Sequence, residues 1–331
     1  MKREKALHIP IRSRRLRRTS GIRRLFSETE VSPSHLVAPL FVIEGQGKPE
    51  TIPSLPGHFR FPVSALVREA GRLARRGVGG IAIFPCIPQR LRTPKAKEVL
   101  NPKGLIYRAI RTLKKELPDL PLFADVALDP YTSHGHDGLL NRSSKDVDND
   151  STVRLLMRQA VLLAEAGADF VAPSDMMDGR IGYIRGALDQ AGFTETGILS
   201  YAAKFASPLY GPFRDAVGSA QSAKTHSLDK RGYQADPASR CAILRDSLLD
   251  EKEGADLLMV KPAGPYLDIL RDLRENTHLP LAAYQVSGEY AQIHAAAQKG
   301  WVDLRKARDE SLLSIRRAGA DIIFTYFAKD M

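Results

Sequence analysis

Three copies of Gly-Ala-Asp, beginning at Gly167, Gly254 and Gly319, each stand between a stretch with helical spacing and a short apolar run. Glycine ends a helix by accepting a left-handed backbone, and a short apolar run after it is the pattern of a buried strand. Repetition of that junction restricts the chain to folds made of successive βα units. Eight apolar runs recur: His35–Val42, Gly80–Ile87, Pro121–Leu128, Ala168–Ser174, Gly197–Ala203, Ala255–Val260, Leu279–Val286 and Ala320–Tyr326. Helical spacing fills the intervals, as in Val63, Ala65, Leu66, Ala70, Leu73 and Ala74, and again in Val153, Leu155, Leu156, Ala160, Leu163 and Ala164. Eight units over about 300 residues predict an α/β fold, a (β/α)8 barrel, spanning 35–331 behind an extended arm at 1–34. A doubly wound open sheet is the rival, but it usually needs a Gly-rich phosphate turn after an early strand, and the sequence has none. Only Phe327-Ala-Lys-Asp-Met331 follows the last run, too little for an eighth helix, so something else must cover that flank or it stays open.

A net charge of +11 raises the prospect of a nucleic-acid partner until its location is considered. Residues 1–25 hold ten Lys or Arg against one Glu, a local +9, which leaves the remaining 306 residues at +2. Ile9, Ile11, Leu16, Ile22 and Leu25 interleave the arginines, which suits contact with a neighbouring subunit better than a purely electrostatic tail. Homo-oligomers are therefore expected, and neither nucleic acid nor a membrane is expected as a partner. The two cysteines, Cys86 and Cys241, lie far apart in no ligand-like spacing, which points to a reducing compartment. No apolar stretch reaches about 18 residues, and the N-terminus lacks a signal-peptide core. A cytoplasmic location is the expectation, although Arg-rich, Ser-containing starts also occur in organelle import sequences.

Lys204 and Lys261 sit at or just past the C-terminal ends of two apolar runs, where barrel strands deliver functional groups. Loss of hydration and a second ammonium nearby should lower both pKa values from about 10.4 towards neutrality, giving amines able to attack ketones. A lone lysine there could equally snorkel to water. Two in equivalent contexts favour Schiff-base chemistry. The loops Asp129–Thr152 and Phe205–Pro237 are unusually long, and the second, about 205–237, is expected to be an active-site lid. Asp125 in the third run and Asp129, His134, His136 and Asp137 after it could form a cation site or a proton-transfer cluster. Ser174 and Asp175 fall on the catalytic face of a barrel, unless Asp175 or Asp178 merely caps a helix.

The stretches Asp125–Gly138, Ala172–Arg180, Ser200–Arg214, Met259–Asp268, Tyr284-Gln-Val-Ser-Gly-Glu289 and Ala320–Tyr326 closely resemble the 5-aminolaevulinate dehydratase family, also called porphobilinogen synthases. The likeness extends from Arg14-Arg-Leu-Arg-Arg18 to the last strand. It implies a lyase of tetrapyrrole (haem, chlorophyll) biosynthesis that condenses two 5-aminolevulinate molecules asymmetrically to porphobilinogen, with loss of two waters. By that resemblance Lys261 holds the substrate that becomes the propionate side of the product, and Lys204 holds the second. Asp125 and Ser174 join them as catalytic groups. Arg214 and Lys230 clamp the carboxylate of the second substrate, Ser287 and Tyr326 that of the first, and Tyr210, Phe213 and Gln234 complete the substrate pocket. Oligomers implied by the family are arm-linked hexamers or octamers. Zinc-dependent members carry cysteines where this chain has Ala127, Asp129 and Asp137, so no zinc is expected. Asp129 and Asp137 suit a hard cation or act by charge alone, and magnesium, if used, is expected to be allosteric and to involve Asp246, which stands where a longer glutamate is typical.

Two other functions compete. A metal-dependent hydrolase on the same barrel is prompted by His134-Gly-His136, but such pairs usually follow the first strand, and it leaves both lysines idle. A nucleic-acid-binding protein is prompted by the basic arm, yet it leaves the barrel-mouth motifs unexplained and lacks interleaved exposed aromatics.

Overall fold

The structure, a computed structural model, describes residues 8–141, 143, 146–218 and 230–331. Its strands are β1 (Leu36–Ile43), β2 (Glu50–Thr51), β3 (Phe59–Pro62), β4 (Gly80–Pro85), β5 (Leu122–Val126), β6 (Phe170–Pro173), β7 (Gly197–Lys204), β8 (Leu257–Lys261), β9 (Leu281–Gln285) and β10 (Ile322–Thr325). Its helices are α1 (Ser20–Leu25), α2 (Val63–Arg75), α3 (Leu105–Glu116), α4 (Asn149–Glu165), α5 (Arg180–Gln190), α6 (Gly211–Ala216), α7 (Cys241–Lys252), α8 (Leu267–Asn276), α9 (Ser287–Gln298) and α10 (Leu304–Ala318). β1 and β4 to β10 pair in parallel, and β10 returns to β1, so eight strands close the expected barrel.

The Gly-Ala-Asp junctions do more than stop helices. Gly167, Gly254 and Gly319 have positive φ of 106°, 103° and 130°, the backbone that glycine takes at low cost. The aspartate two residues later reaches sideways to the preceding strand. Asp169, Asp256 and Asp321 accept from the N–H of Leu122, Ile198 and Leu281 at 2.8, 2.7 and 2.9 Å. Each bond satisfies a donor at the foot of a strand and ties β5 to β6, β7 to β8 and β9 to β10.

Alternation along the strands divides two apolar layers. Val37, Phe41, Ala82, Phe84, Phe123, Ala172, Leu199, Tyr201, Leu257, Met259, Ala282, Tyr284 and Phe324 fill the barrel, while Leu36, Ala38, Leu40, Ile81, Ile83 and their counterparts face the helices. Strand β7 breaks the alternation with a bulge. Ser200 pairs with Leu258 and Ala203 with Val260, so β7 has one residue more than β8 between the same rungs. Leu199 and Tyr201 point inward, Ala202 and Ala203 both join the outer layer, and Lys204 points inward again.

Two features depart from the sequence-based outline. Residues 50–62 form the β2/β3 hairpin, with β3 parallel to the upper half of β1 where β10 has ended. That hairpin and a turn at Tyr326–Asp330 cover the flank lacking an eighth helix. Lys329 Nζ donates to Gly57 O at 2.5 Å, and Arg76 and Arg308 donate to the carbonyls of Lys329 and Asp330 at 2.6 and 2.7 Å. The interval between β9 and β10 also carries two helices, α9 and α10, rather than one.

Candidate active site

At the C-terminal ends of β7 and β8, Lys204 and Lys261 occupy one rung of the ladder, and both are buried. Their surroundings differ. Lys204 Nζ donates to Asp137 Oδ2 at 3.0 Å and to the Ser174 carbonyl. Asp137 also accepts from Lys230 through Oδ1 and from Gln234 Nε2 at 3.2 Å. Burial opposes charge on Lys204, but Asp137 and then Asp129 outweigh it and raise its pKa above the ordinary value. Burial likewise works against Asp137, yet Lys204 and Lys230 hold it well below the usual carboxylate range. The expectation that both lysines are pulled towards neutrality therefore fails for Lys204, because a carboxylate 67 residues upstream in sequence is its direct partner.

Lys261 has rings where Lys204 has carboxylates. Its Nζ lies 4.4 Å from the Tyr284 ring centroid, 4.9 Å from Tyr201 and 5.4 Å from both Tyr210 and Phe213. Ring faces attract an ammonium but supply less than the water they displace. Burial first, and the Lys204 ammonium second, bring Lys261 down to about 7, against the pull of Asp125, Asp129 and Asp137. Asp125, inward on β5, rises to about 7 through burial and repulsion from Asp129, with the Ser174 hydroxyl opposing. Asp129 is raised by burial and by Asp137. The site thus holds an amine and a carboxyl that both exchange protons near neutrality, beside a fixed cation-carboxylate pair.

A cavity of about 40 Å³ separates these groups, lined by Asp125, Asp129, Asp137, Ser174, Lys204 and Lys261 on one side. Tyr210, Phe213, Arg214, Lys230 and Gln234, all on the long loop after β7, close the other side together with Phe84. Residues 219–229 of the expected lid lie outside the described residues. Ser287 and Tyr326 do not line this cavity. They stand one layer behind Lys261: Ser287 Oγ accepts from Phe213 N at 2.9 Å, and Tyr326 Oη is 3.5 Å from Tyr284 Oη.

Other expected residues fall elsewhere. Asp175, just past the C-terminal end of β6, does not line the cavity: it lies 3.8 Å from Arg180 and accepts from Met177 N. Arg180 also binds Asp250, which accepts from Ser200 Oγ at 2.5 Å; this buried network fastens α5 and α7 to the outer face of β7. Neither Asp175 nor Asp178 caps α5, whose N-cap is Gly179. His134 and His136 are buried around a turn, with His136 N donating to His134 Nδ1 and its ring 3.2 Å from Tyr233 Oη.

Among the described residues, no group of three or more His, Cys, Asp or Glu could hold a metal ion. Ala127 offers no donor, and both oxygens of Asp137 already accept from ammonium or amide groups, so this cluster does not fit a tight zinc site. Asp246 lies on α7 outside the barrel mouth, with its side chain 47% exposed and bonded to Arg245 at 3.2 Å. One exposed carboxylate fits a hydrated hard cation rather than a protein cage.

The sequence had not marked Tyr201 and Tyr284 as pocket residues. Tyr284 opens the Tyr-Gln-Val-Ser-Gly-Glu motif, a usable signal, whereas the bulge that aims Tyr201 and Lys204 to the same side has none.

The Delta-aminolevulinic acid dehydratase family model matches residues 10–331. A Delta-aminolevulinic acid dehydratase of Chlamydia pneumoniae is 50% identical over 323 residues, covering 98% of this chain and 96% of its own length. One from Bradyrhizobium diazoefficiens is 50% identical over 98% of this chain and 90% of its own. Among solved structures, delta-aminolevulinic acid dehydratase (porphobilinogen synthase) from Toxoplasma gondii, in complex with the reaction product porphobilinogen, superposes with a TM-score of 0.95 at 47% identity, covering 98% of this chain and 91% of that one.

Proposed function

The chain belongs to the delta-aminolevulinic acid dehydratase family, and from that premise we propose how its residues divide the making of porphobilinogen. The enzyme is a lyase of porphyrin and haem biosynthesis that joins two 5-aminolevulinate molecules. The observation that carries the division of roles is the unlike pair of lysines on one rung. Lys261, near half neutral at pH 7, attacks the ketone of the first substrate, and loss of water leaves an imine. Asp125, buried and titrating near 7, moves protons beside it, with Ser174 orienting the carboxyl. Lys204 reacts second, because it must first lose the proton that Asp137 holds on it. A charged Asp137 then stabilises the cationic imine.

Arg214 and Lys230 clamp the second substrate's carboxylate, and Ser287 with Tyr326 the first's. Gln234, Tyr210 and Phe213 shape the space between. The 40 Å³ cavity holds a few waters, so substrate entry exchanges the Lys230–Asp137 contact for one with the incoming carboxylate. Any magnesium acts through Asp246, outside the chemistry, and zinc is dispensable. The arm joins copies of the chain into hexamers or octamers in the cytoplasm. Ile11, Leu16, Leu25 and Phe26 are all exposed on the isolated chain, which supports a covering partner. Among the described residues no helix is long and apolar enough to cross a membrane. Borohydride reduction during turnover, followed by peptide mapping, tests the assignment: adducts should accumulate on Lys261 before Lys204, and adducts on neither would overturn it. Deleting residues 1–25 should lower the mass measured by light scattering; unchanged mass would remove the arm's role.

A further inference from the structure

The short helix α6 carries Phe213 and Arg214 into the site, yet six residues cannot hold themselves helical. A helix leaves its last four carbonyls without donors of its own, and here Gly218 N–H reaches Asp215 O at 3.0 Å while the rest of the end draws on other groups. Two arginines distant in sequence supply further donors. Arg60, on β3 of the hairpin, donates from Nε to Ala216 O at 2.6 Å and from Nη2 to Asp215 O at 2.8 Å. Arg92, in the loop after β4, donates from Nη2 to Val217 O at 3.0 Å and from Nη1 to Gly218 O at 2.9 Å. Its Nε is anchored on Ile87 O at 2.9 Å. Four consecutive carbonyls, 215 to 218, are thus taken by two guanidinium forks, and both positive charges sit at the negative end of the helix.

The remaining contacts fix the helix from other sides. Ser54 Oγ donates to Asp215 Oδ2 at 2.5 Å, and Cys86 Sγ contacts Ala216 O at 3.3 Å. Phe213 wedges edge-on against Phe84, with centroids 5.1 Å apart, and its N–H donates to Ser287 Oγ. Rotation of α6 would swing Arg214 away from Lys230 and Gln234, which line the same cavity.

We propose that Arg60 and Arg92 are positioning residues for substrate binding: they clasp the C-terminal end of α6 and so set the height and rotation of Arg214. The proposal rests on Arg214 holding a substrate carboxylate. Neither arginine touches the reacting atoms; each acts through the backbone of α6. A guanidinium fork fills two carbonyls at once, whereas an ammonium is a point donor that fills one, so lysine should restore only part of the effect.

Steady-state kinetics with 5-aminolevulinate test this on the full chain, with Arg60→Met, Arg92→Met, Arg60→Lys, Arg214→Ala and the double variant Arg60→Met/Arg214→Ala. Arg60→Met and Arg92→Met should each raise KM about tenfold or more while kcat changes less than threefold, and Arg60→Lys should fall between wild type and Met. In the Arg214→Ala background, Arg60→Met should add less than a twofold further rise, because the residue through which it acts is gone. A full additional tenfold rise there would show a merely structural role and overturn the proposal, as would an unchanged KM in Arg60→Met. If Arg60→Met does not fold, Arg60→Lys alone and in the Arg214→Ala background carries the same comparison. An unchanged KM in Arg214→Ala would instead overturn the role of Arg214 itself, and with it any clasp acting through that residue.

Discussion

Lys204 and Lys261 share a rung, a depth and a strand end, yet one is held charged and the other is released to about pH 7. Lys204 meets the Asp137 carboxylate at 3.0 Å, while Lys261 meets four aromatic rings. The backbone therefore sets where an amine stands, and the side chains brought in from other strands decide which chemistry it performs. Burial is common to both and accounts for neither difference. The sign of each shift follows from whether a counter-ion is buried with the amine.

The comparison breaks most severely if Lys261 is replaced. Lys261→Met should abolish turnover and also raise stability at neutral pH. Its folded-state pKa lies near 7 against 10.5 when unfolded, so the unfolded chain binds more protons throughout that window. Wild-type stability should accordingly rise with pH from about 7 to about 10.5 and be flat below, apart from other groups. The Met variant should lose that slope and gain on the order of 4 kcal/mol at pH 7. Thermal unfolding at several pH values measures it, and an unchanged slope would show that Lys261 is charged in the folded protein.

Asp137→Asn should have the next largest effect, roughly a hundred- to thousandfold in kcat, since the cationic imine on Lys204 loses its preorganised counter-charge. The Lys204 pKa should then fall towards that of Lys261. Amine-directed labelling of Lys204 would move to lower pH; labelling that keeps its wild-type pH dependence would mean that Asp137 is not what holds the proton.

A smaller effect separates the two lysines without mutation. In wild type kcat/KM should decline below about pH 7, approaching tenfold per unit, as Lys261 becomes protonated. A profile flat to pH 5 would be incompatible with a neutral Lys261 as nucleophile.

The smallest expected effect is that of metal. A zinc-selective chelator should leave kcat and both trapped adducts unchanged, and Asp246→Ala should remove any magnesium stimulation without altering basal turnover. Reversible loss of activity on zinc removal would mean that the carboxylates around Lys204 do not act by charge alone.

The barrel was legible because its signals are local: eight apolar runs, helical spacing between them and three glycine stops. The lysines were legible because strand ends are where such folds place reactive groups. What remained hidden depends on pairings across long separations. Nothing near Lys204 in sequence announces Asp137, and nothing at Arg60 or Arg92 announces the carbonyls of residues 215–218. The β2/β3 hairpin escaped notice because its strands are only two and four residues long, too short for the Phe59-Arg60-Phe61 alternation to stand out. The partner of Asp175 was hidden for a related reason, since Arg180 lies beyond the end of the strand.

The bulge in β7 has a consequence for insertions and deletions. Between shared rungs that strand carries one residue more than β8. Removing Ala202 or Ala203 would equalise the two lengths and leave Lys204 facing Lys261, whereas adding a third alanine would leave two surplus residues to absorb. The lesions are equal in size but opposite in outcome. Placement of this amine is therefore sensitive to the length of the chain before it in a way that no single-residue substitution scan would reveal, and paired deletion and insertion variants, scored by borohydride trapping on Lys204, would expose it.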